Sequence, residues 1–218
     1  VVLFLFVWYN INGDNMKKTI YLIRHSIPMK IRNNIINSDS LQVWNEKNPL
    51  SILGEEKAKE YFDKEEFLDV DYIVSSKYVR AISTAKYLAE NLNLNININE
   101  NFGERKHGVS SWDLLPDGFE QRQLVDKDFK VGDGESQNEV ANRMYNSLME
   151  LVNSDHNKIV VLSHATAITF LLMKLCDNLD DTLYFDGEVV LDKAFVWEAP
   201  DGFKFVFEDD KLISINHI

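Results

Sequence analysis

The sequence predicts an α/β fold with a largely parallel sheet, and three observations carry this prediction. Short apolar runs of strand type alternate with segments whose apolar residues recur at helical spacing. The run KIVVLS at 158–163 is almost continuously apolar, as in strands that a parallel sheet buries on both faces. Polar residues follow several of these runs directly. Ligands bind such sheets beyond the carboxyl ends of the strands, so we expect the functional site there.

The first half of the chain is expected to supply three strands and two helices. The run TIYLIR at 19–24 is rich in β-branched and aromatic residues and predicts a strand. A serine of the type that caps helices precedes a predicted helix over about 52–67. The sequence DYIVS predicts a second strand at 71–75, and apolar residues at helical spacing predict a helix over 79–92. The alternation NININ predicts a third strand at 95–99.

The second half begins with a segment that shows no clear periodicity. Residues 100–135 contain several glycines and a proline that break regular structure. Ser136 and Glu139 then form a capping-box pattern, which predicts a helix that runs to about Val152. After the buried strand, the apolar stretch at 165–175 predicts a further helix.

A turn sequence near the end of the chain predicts a β-hairpin. Pro200, Asp201 and Gly202 are residue types that favour turns, and they separate strand-like segments at 193–199 and 203–208. Three phenylalanines alternate along the second of these segments. They suit either the core of the sheet or a dimer surface, so a monomer and a homodimer both stay open.

Charge and cysteine content exclude several classes of protein. The chain has 218 residues and a formal net charge of −12, so a basic surface for DNA or RNA is not expected. The N-terminal 113 residues carry 14 basic and 15 acidic side chains, whereas the remainder carries 9 and 20. An anion-binding site should therefore draw mainly on the first half. The single cysteine, Cys176, excludes an internal disulfide and is expected to be a buried thiol in a cytoplasmic protein.

The first residues form an apolar run, VVLFLFVWY. Nine residues are too few to span a bilayer, which takes about 20. Met16, Lys17 and Lys18 resemble a bacterial start. We expect residues 1–15 to be a non-native or disordered leader, with a peripheral apolar anchor as the alternative, and residues 16–218 to form a single domain that does not bind membranes.

Five polar residues stand where a parallel sheet assembles its site. Arg24 and His25 end the first strand, and His164 ends the strand at 158–163. Arg80 lies at the start of a predicted helix after the second strand, and Glu104 follows the third strand. Because the carboxyl ends of parallel strands meet at one edge, we expect these side chains to lie close together.

The chemistry of this set suits a phosphate ester. Two arginines offer planar forks that match phosphate oxygens, and a histidine can attack phosphorus as a nucleophile. A carboxylic acid can protonate the departing oxygen. Histidines and carboxylates also bind metals, but the sequence has no HxH or HExxH pattern, and the arginines would repel a cation. We therefore expect neither a metal nor a cofactor.

The order of these residues resembles the histidine phosphatase superfamily, also called the phosphoglycerate mutase-like family, over residues 18–208. Five motifs match in chain order: YLIRHS at 21–26, PLSILGEEKA at 49–58, SSKYVRAISTA at 75–85, GDGES at 132–136 and VVLSHAT at 160–166. The resemblance implies a three-layer α/β/α sandwich, with helices on both faces of a mostly parallel central sheet.

The resemblance also implies the roles of the site residues. His25 would be the nucleophile that becomes phosphohistidine, and Glu104 the general acid and then the base that activates water. The phosphoryl group would be held by Arg24, Arg80, His164 and the backbone N–H of Ala165. Ser26 and Ala165 replace the glycines that usually follow the two histidines.

The expected reaction is hydrolysis of a small phosphomonoester. In the family that this chain resembles, the mutases are longer and carry the sequence Arg-His-Gly-Glu, whereas this chain has Arg-His-Ser. Phosphoglycerate mutase-type transfer and a non-catalytic regulatory relative stay as alternatives. The segments 26–49 and 100–135 are expected to form the walls of the site. Candidate contacts to the substrate are Lys30, Arg32, Asn33, Lys77, Lys106 and His107.

Overall fold

The structure, a computed structural model, describes residues 17–30 and 41–218. The predicted leader at 1–15 lies outside the described residues, as do Arg32 and Asn33. No helix in the described part of the chain is long and apolar enough to cross a bilayer.

Within the described residues, the strands are β1 Lys17–Arg24, β2 Tyr72–Ser75, β3 Ile96–Ile98, β4 Lys158–Ser163, β5 Asp177–Leu179, β6 Thr182–Phe185, β7 Glu188–Leu191, β8 Asp201–Glu208 and β9 Lys211–His217. Six of them form the central sheet in the order β3-β2-β4-β1-β8-β9. The first four of this order run parallel, and β8 and β9 add an antiparallel edge. The predicted fold class is confirmed.

The described helices are α1 Leu41–Lys47, α2 Ile52–Phe62, α3 Val79–Leu92, α4 Phe119–Val125, α5 Gln137–Val152 and α6 Ala165–Leu175. Side chains of β1 alternate between two cores, as the pleat requires. Ile20 and Leu22 pack with residues of α5 and α6, whereas Tyr21 and Ile23 pack with residues of α2 and α3. Helices therefore cover both faces of the sheet.

Local chemistry explains where two of the helices begin. The Ser51 side chain accepts a hydrogen bond from the Gly54 amide at 3.0 Å, and Ser136 and Glu139 form the predicted capping box of α5. Gly54 also lies against the backbone of Ile27, where an added Cβ would approach the carbonyl oxygen to 2.1 Å. This contact holds the chain that leaves β1 against the start of α2.

The prediction of a hairpin between 193–199 and 203–208 is wrong. The hairpin pairs β8 with β9, and its turn is formed by Asp209 and Asp210, both with positive φ (47° and 63°). Aspartate tolerates this backbone region, and a two-residue turn of this hand matches the twist of the strands. Two carbonyls within 193–199 accept hydrogen bonds from Arg24, and this segment is not a strand of the described part of the chain.

Three further differences concern element limits. The helix predicted over 52–67 ends at Phe62, and a separate 3₁₀ turn, Glu65–Phe67, follows it. The segment 26–49, for which no helix was predicted, contains α1. The strands β5, β6 and β7 form a small antiparallel sheet that was not predicted.

Candidate active site

The register of β1 and β4 brings the two histidines together. Arg24 pairs with Ser163 across the parallel strands, so His25 and His164 follow at the same edge of the sheet. Both side chains are buried, and their ring centroids lie 5.0 Å apart. Arg80 lies in the first turn of α3, the helix that follows β2, and its guanidinium is within hydrogen-bond distance of both rings.

The hydrogen bonds of His25 define its tautomer. Nδ1 lies 2.6 Å from the Ser26 carbonyl oxygen, so this nitrogen carries the proton and donates it. Nε2 then has a free lone pair and accepts from Arg80 Nε at 2.8 Å. Burial and the charge of Arg80 lower the pKa of His25 well below its usual value, although the Ser26 carbonyl opposes this shift. The ring is therefore neutral, with a nucleophilic nitrogen available at Nε2.

Each ring nitrogen of His164 has its own hydrogen-bond partner. Its Nδ1 lies 3.2 Å from the Nη2 of Arg80, which can only donate, and its Nε2 lies 2.9 Å from Ser76 Oγ. Burial and Arg80 lower the pKa of His164 well below its usual value. His164 is also the N-cap of α6, whose first helical residue is Ala165. The amides of this first turn have no partners within the helix and can donate to an anion.

Arg24 is the last residue of β1 and directly precedes His25. Its Nη1 donates to the carbonyl oxygens of Trp197 at 3.1 Å and Glu198 at 2.7 Å, whereas its Nε is buried with no hydrogen-bond partner among the described residues. Burial lowers the pKa of Arg24, and the charges of Glu104 and Asp201 oppose that shift. Burial also lowers the pKa of Arg80, and the charge of Glu104 opposes that shift. The carboxylate is therefore within electrostatic range of both arginines.

Glu104 is half-buried and positioned mainly through its backbone. Its Oε1 accepts from the Arg105 amide at 2.8 Å. Arg143 donates to the carbonyl oxygens of Gly103 at 3.0 Å and Glu104 at 3.3 Å, and its Nε pairs with Glu135 at 2.7 Å. This network fixes the segment that carries Glu104.

The candidate substrate contacts lie in different environments. Lys77 is paired with Glu46 at 3.2 Å and Glu100 at 3.1 Å, and Lys30 and Lys106 are exposed. His107 is buried, with Nε2 at 3.1 Å from Arg105 Nη2, and burial with the Arg105 charge lowers its pKa to about 4. Arg32 and Asn33 are outside the described residues. These side chains stay predictions as substrate contacts.

Several residues of the site were not identified from the sequence. Ser76 orients His164, and Thr84 links Ser26 to Arg80: its hydroxyl accepts from the Ser26 amide at 2.9 Å and donates to the Arg80 carbonyl at 2.7 Å. Both lie within the motif at 75–85, which was the available signal. No sequence signal indicated Arg143, because one arginine in a long helix has no distinguishing pattern. Among residues 17–30 and 41–218, no three His, Cys, Asp or Glu side chains are grouped to hold a metal ion.

The histidines predict a dependence of stability on pH. His25, His164 and His107 all have lowered pKa values in the folded protein, so the unfolded chain binds more protons below pH 6.5. Each contributes stability at neutral pH that is lost as the pH falls, by at most about 1.4 kcal/mol per pH unit. We expect the free energy of unfolding, measured with urea, to fall between pH 7 and 5. The variant His107→Gln should show a shallower fall, and an equal slope would contradict this assignment.

The sequence and the site together identify the class of protein. The model of the histidine phosphatase superfamily (branch 1) matches residues 20–189. The chain belongs to this superfamily. A search of curated protein sequences finds no match.

Solved structures with the same fold include enzymes with different activities. A mycobacterial glucosyl-3-phosphoglycerate phosphatase has 19% identity and a TM-score of 0.64, with 92% of this chain and 97% of that chain covered. A phosphoglycerate mutase from Bacillus anthracis has 17% identity and a TM-score of 0.64, with 94% of each chain covered. A phosphoserine phosphatase from Entamoeba histolytica has 19% identity and a TM-score of 0.62, covering 91% and 96%. This similarity shows the fold.

Proposed function

We propose that this protein is a phosphatase that hydrolyses a small phosphomonoester through a phosphohistidine on His25. One observation carries the proposal most directly: the Nδ1–H of His25 is bound to the Ser26 carbonyl, which leaves an unprotonated Nε2 among Arg24, Arg80 and His164. A neutral imidazole surrounded by donors suits attack on phosphorus, because the transition state spreads negative charge over the non-bridging oxygens.

In the first step, Arg80 moves its Nε–H from His25 Nε2 to a phosphate oxygen. Nε2 then forms a bond to phosphorus while the bond from phosphorus to the ester oxygen breaks. Glu104, protonated, gives its proton to the departing oxygen, so the product leaves as an alcohol. Arg24, Arg80, His164 and the Ala165 amide hold the three remaining oxygens in place.

In the second step, water attacks the phosphohistidine from the side that the alcohol has vacated. Glu104, now a carboxylate, accepts a proton from the water, and the bond between phosphorus and Nε2 breaks. His25 returns to its neutral form, and inorganic phosphate leaves. The Ser26 carbonyl holds the Nδ1 proton throughout, so that only Nε2 takes part in bond formation.

Release of inorganic phosphate from a panel of phosphate esters tests this proposal. We expect the full-length protein to hydrolyse p-nitrophenyl phosphate and at least one alkyl phosphate without transferring the group to another alcohol. Conversion of 3-phosphoglycerate to its isomer without phosphate release would favour the mutase alternative. No turnover of any ester would favour a non-catalytic relative.

The role of Glu104 has a specific signature in Glu104→Gln. Leaving groups of high pKa need a proton, whereas p-nitrophenolate does not. We expect kcat to fall about 10²- to 10³-fold for an alkyl phosphate and less than tenfold for p-nitrophenyl phosphate, within the usual range for general acid catalysis. The variant Glu100→Gln, four residues away in the same segment, is the matched control. Equal losses on both substrates would contradict the general-acid role.

A further inference from the structure

A small pocket opens beside the candidate active site. It has a volume of about 170 Å³, and its apolar wall consists of Leu124, Phe170 and Trp197. An apolar cavity of about 150 Å³ accommodates benzene, so the pocket has the size of one ring. Thr169 contributes a hydroxyl to the wall, but its Oγ1 already accepts from Trp197 Nε1 at 3.2 Å.

The pocket is joined to the reaction centre by three of its lining residues. Ala165, which directly follows His164, lies in its wall. The Trp197 carbonyl accepts a hydrogen bond from Arg24 at 3.1 Å, and Arg105, another lining residue, donates its amide to Glu104. A group esterified to a phosphate at His25 would therefore lie next to this pocket.

The charge of the pocket is nearly balanced. The guanidinium of Arg105 is buried and donates to Gln123 Oε1 at 2.7 Å and to Glu120 Oε1 at 3.0 Å. His107 Nε2 lies 3.1 Å from the same guanidinium. Glu120 also lines the pocket, so its carboxylate offsets the charge of Arg105. Because these two charges nearly cancel, the pocket wall only weakly attracts an anionic group that the substrate carries besides its phosphate.

We propose that this pocket binds the leaving group of the substrate and selects an uncharged, mainly apolar group of about the size of one ring. This inference rests on the proposed phosphatase function. Apolar walls favour a group that loses contact with water on binding, and the Glu120 carboxylate repels a carboxylate of the substrate. Leu124 and Glu120 are thereby specificity-determining residues.

A matched pair of substrates tests the selectivity. 4-Carbamoylphenyl phosphate and 4-carboxyphenyl phosphate have nearly the same shape and differ by one charge. We expect kcat/KM to be about tenfold higher for the carbamoyl ester. In Glu120→Gln this ratio should fall about threefold, as is typical when an exposed charge is removed. Asp117→Asn removes the same charge from an exposed position nearby and should leave the ratio unchanged.

A second pair of variants tests the apolar wall. Leu124→Asp should lower kcat/KM for the carbamoyl ester about tenfold, because it places a charge where the ring packs. Val125→Asp makes the same charge change at the next residue, which is 88% exposed and does not line the pocket, and should have little effect. Equal effects of these two variants, or an unchanged ratio in Glu120→Gln, would overturn the inference.

The same assay separates this inference from the proposed function. If His25→Ala abolishes hydrolysis of both esters while the pocket variants leave the ratio unchanged, the phosphatase proposal stands and the pocket proposal fails. If His25→Ala hydrolyses both esters at the wild-type rate, the proposed function itself fails.

Discussion

The variant His25→Ala is expected to lose at least about 10⁴-fold in kcat on p-nitrophenyl phosphate, because removal of a covalent nucleophile leaves only binding and electrostatic stabilisation. The loss should appear in kcat more than in KM. Arg24, Arg80 and His164 still surround the phosphoryl group in this variant, so the substrate binds but has no nitrogen to attack it. Steady-state kinetics with both proteins measures this effect.

A matched control separates this loss from damage to the fold. His156 also has a ring in an aromatic contact, but it stacks on Tyr72 near the start of β4, with ring centroids 3.9 Å apart, and contacts none of the described residues of the reaction centre. His156→Ala should keep near wild-type kcat. Urea unfolding should show that His25→Ala is folded, and a kcat within tenfold of wild type would exclude His25 as the nucleophile.

The variant Arg80→Ala is expected to have the second-largest effect, a loss of about 10³-fold in kcat. Arg80 is the one side chain in the described part of the site that contacts both His25 and His164, and its guanidinium also lies over the Tyr78 ring at 4.7 Å. Removal of a single preorganised donor typically costs 10²- to 10³-fold, and Arg80 combines donors with a full charge.

Arg80→Lys distinguishes charge from geometry. Lysine keeps the positive charge but cannot contact two phosphate oxygens with one planar fork, so we expect it to recover only part of the loss. Lys86→Ala removes a cation from the same helix where it pairs with Glu55 on the surface, and should leave kcat unchanged. A kcat for Arg80→Ala within threefold of wild type would contradict the role of Arg80 in the transition state.

The sequence predicted the parallel strands of the central sheet because they rest on local signals, whereas β9 was not predicted. A continuous apolar run identified β4, and helical periodicity identified α3 with its observed limits, Val79–Leu92. The order of Arg24, His25, Arg80 and His164 in recognisable motifs predicted their meeting at one edge. The structure places the four side chains together there, held by strand register and by the Arg80 hydrogen bonds.

The features that escaped prediction depend on distant contacts. Arg143 reaches the carbonyls around Glu104 from 39 residues further along the chain. The β8–β9 hairpin was misplaced because Asp209 and Asp210 form a turn without glycine or proline. The pocket beside the active site is lined by residues of α4 and α6 and by Trp197, and no local sequence pattern indicates that these segments meet.

Trapping of the covalent intermediate tests the central claim most directly. The full-length protein is mixed with phenyl phosphate, quenched within milliseconds at alkaline pH, where phosphohistidine is stable, and digested for mass spectrometry. We expect one phosphoryl group on the peptide that contains His25, formed and lost at rates that match turnover. A protein that hydrolyses the ester without phosphate on His25, or with phosphate on another residue, would contradict it.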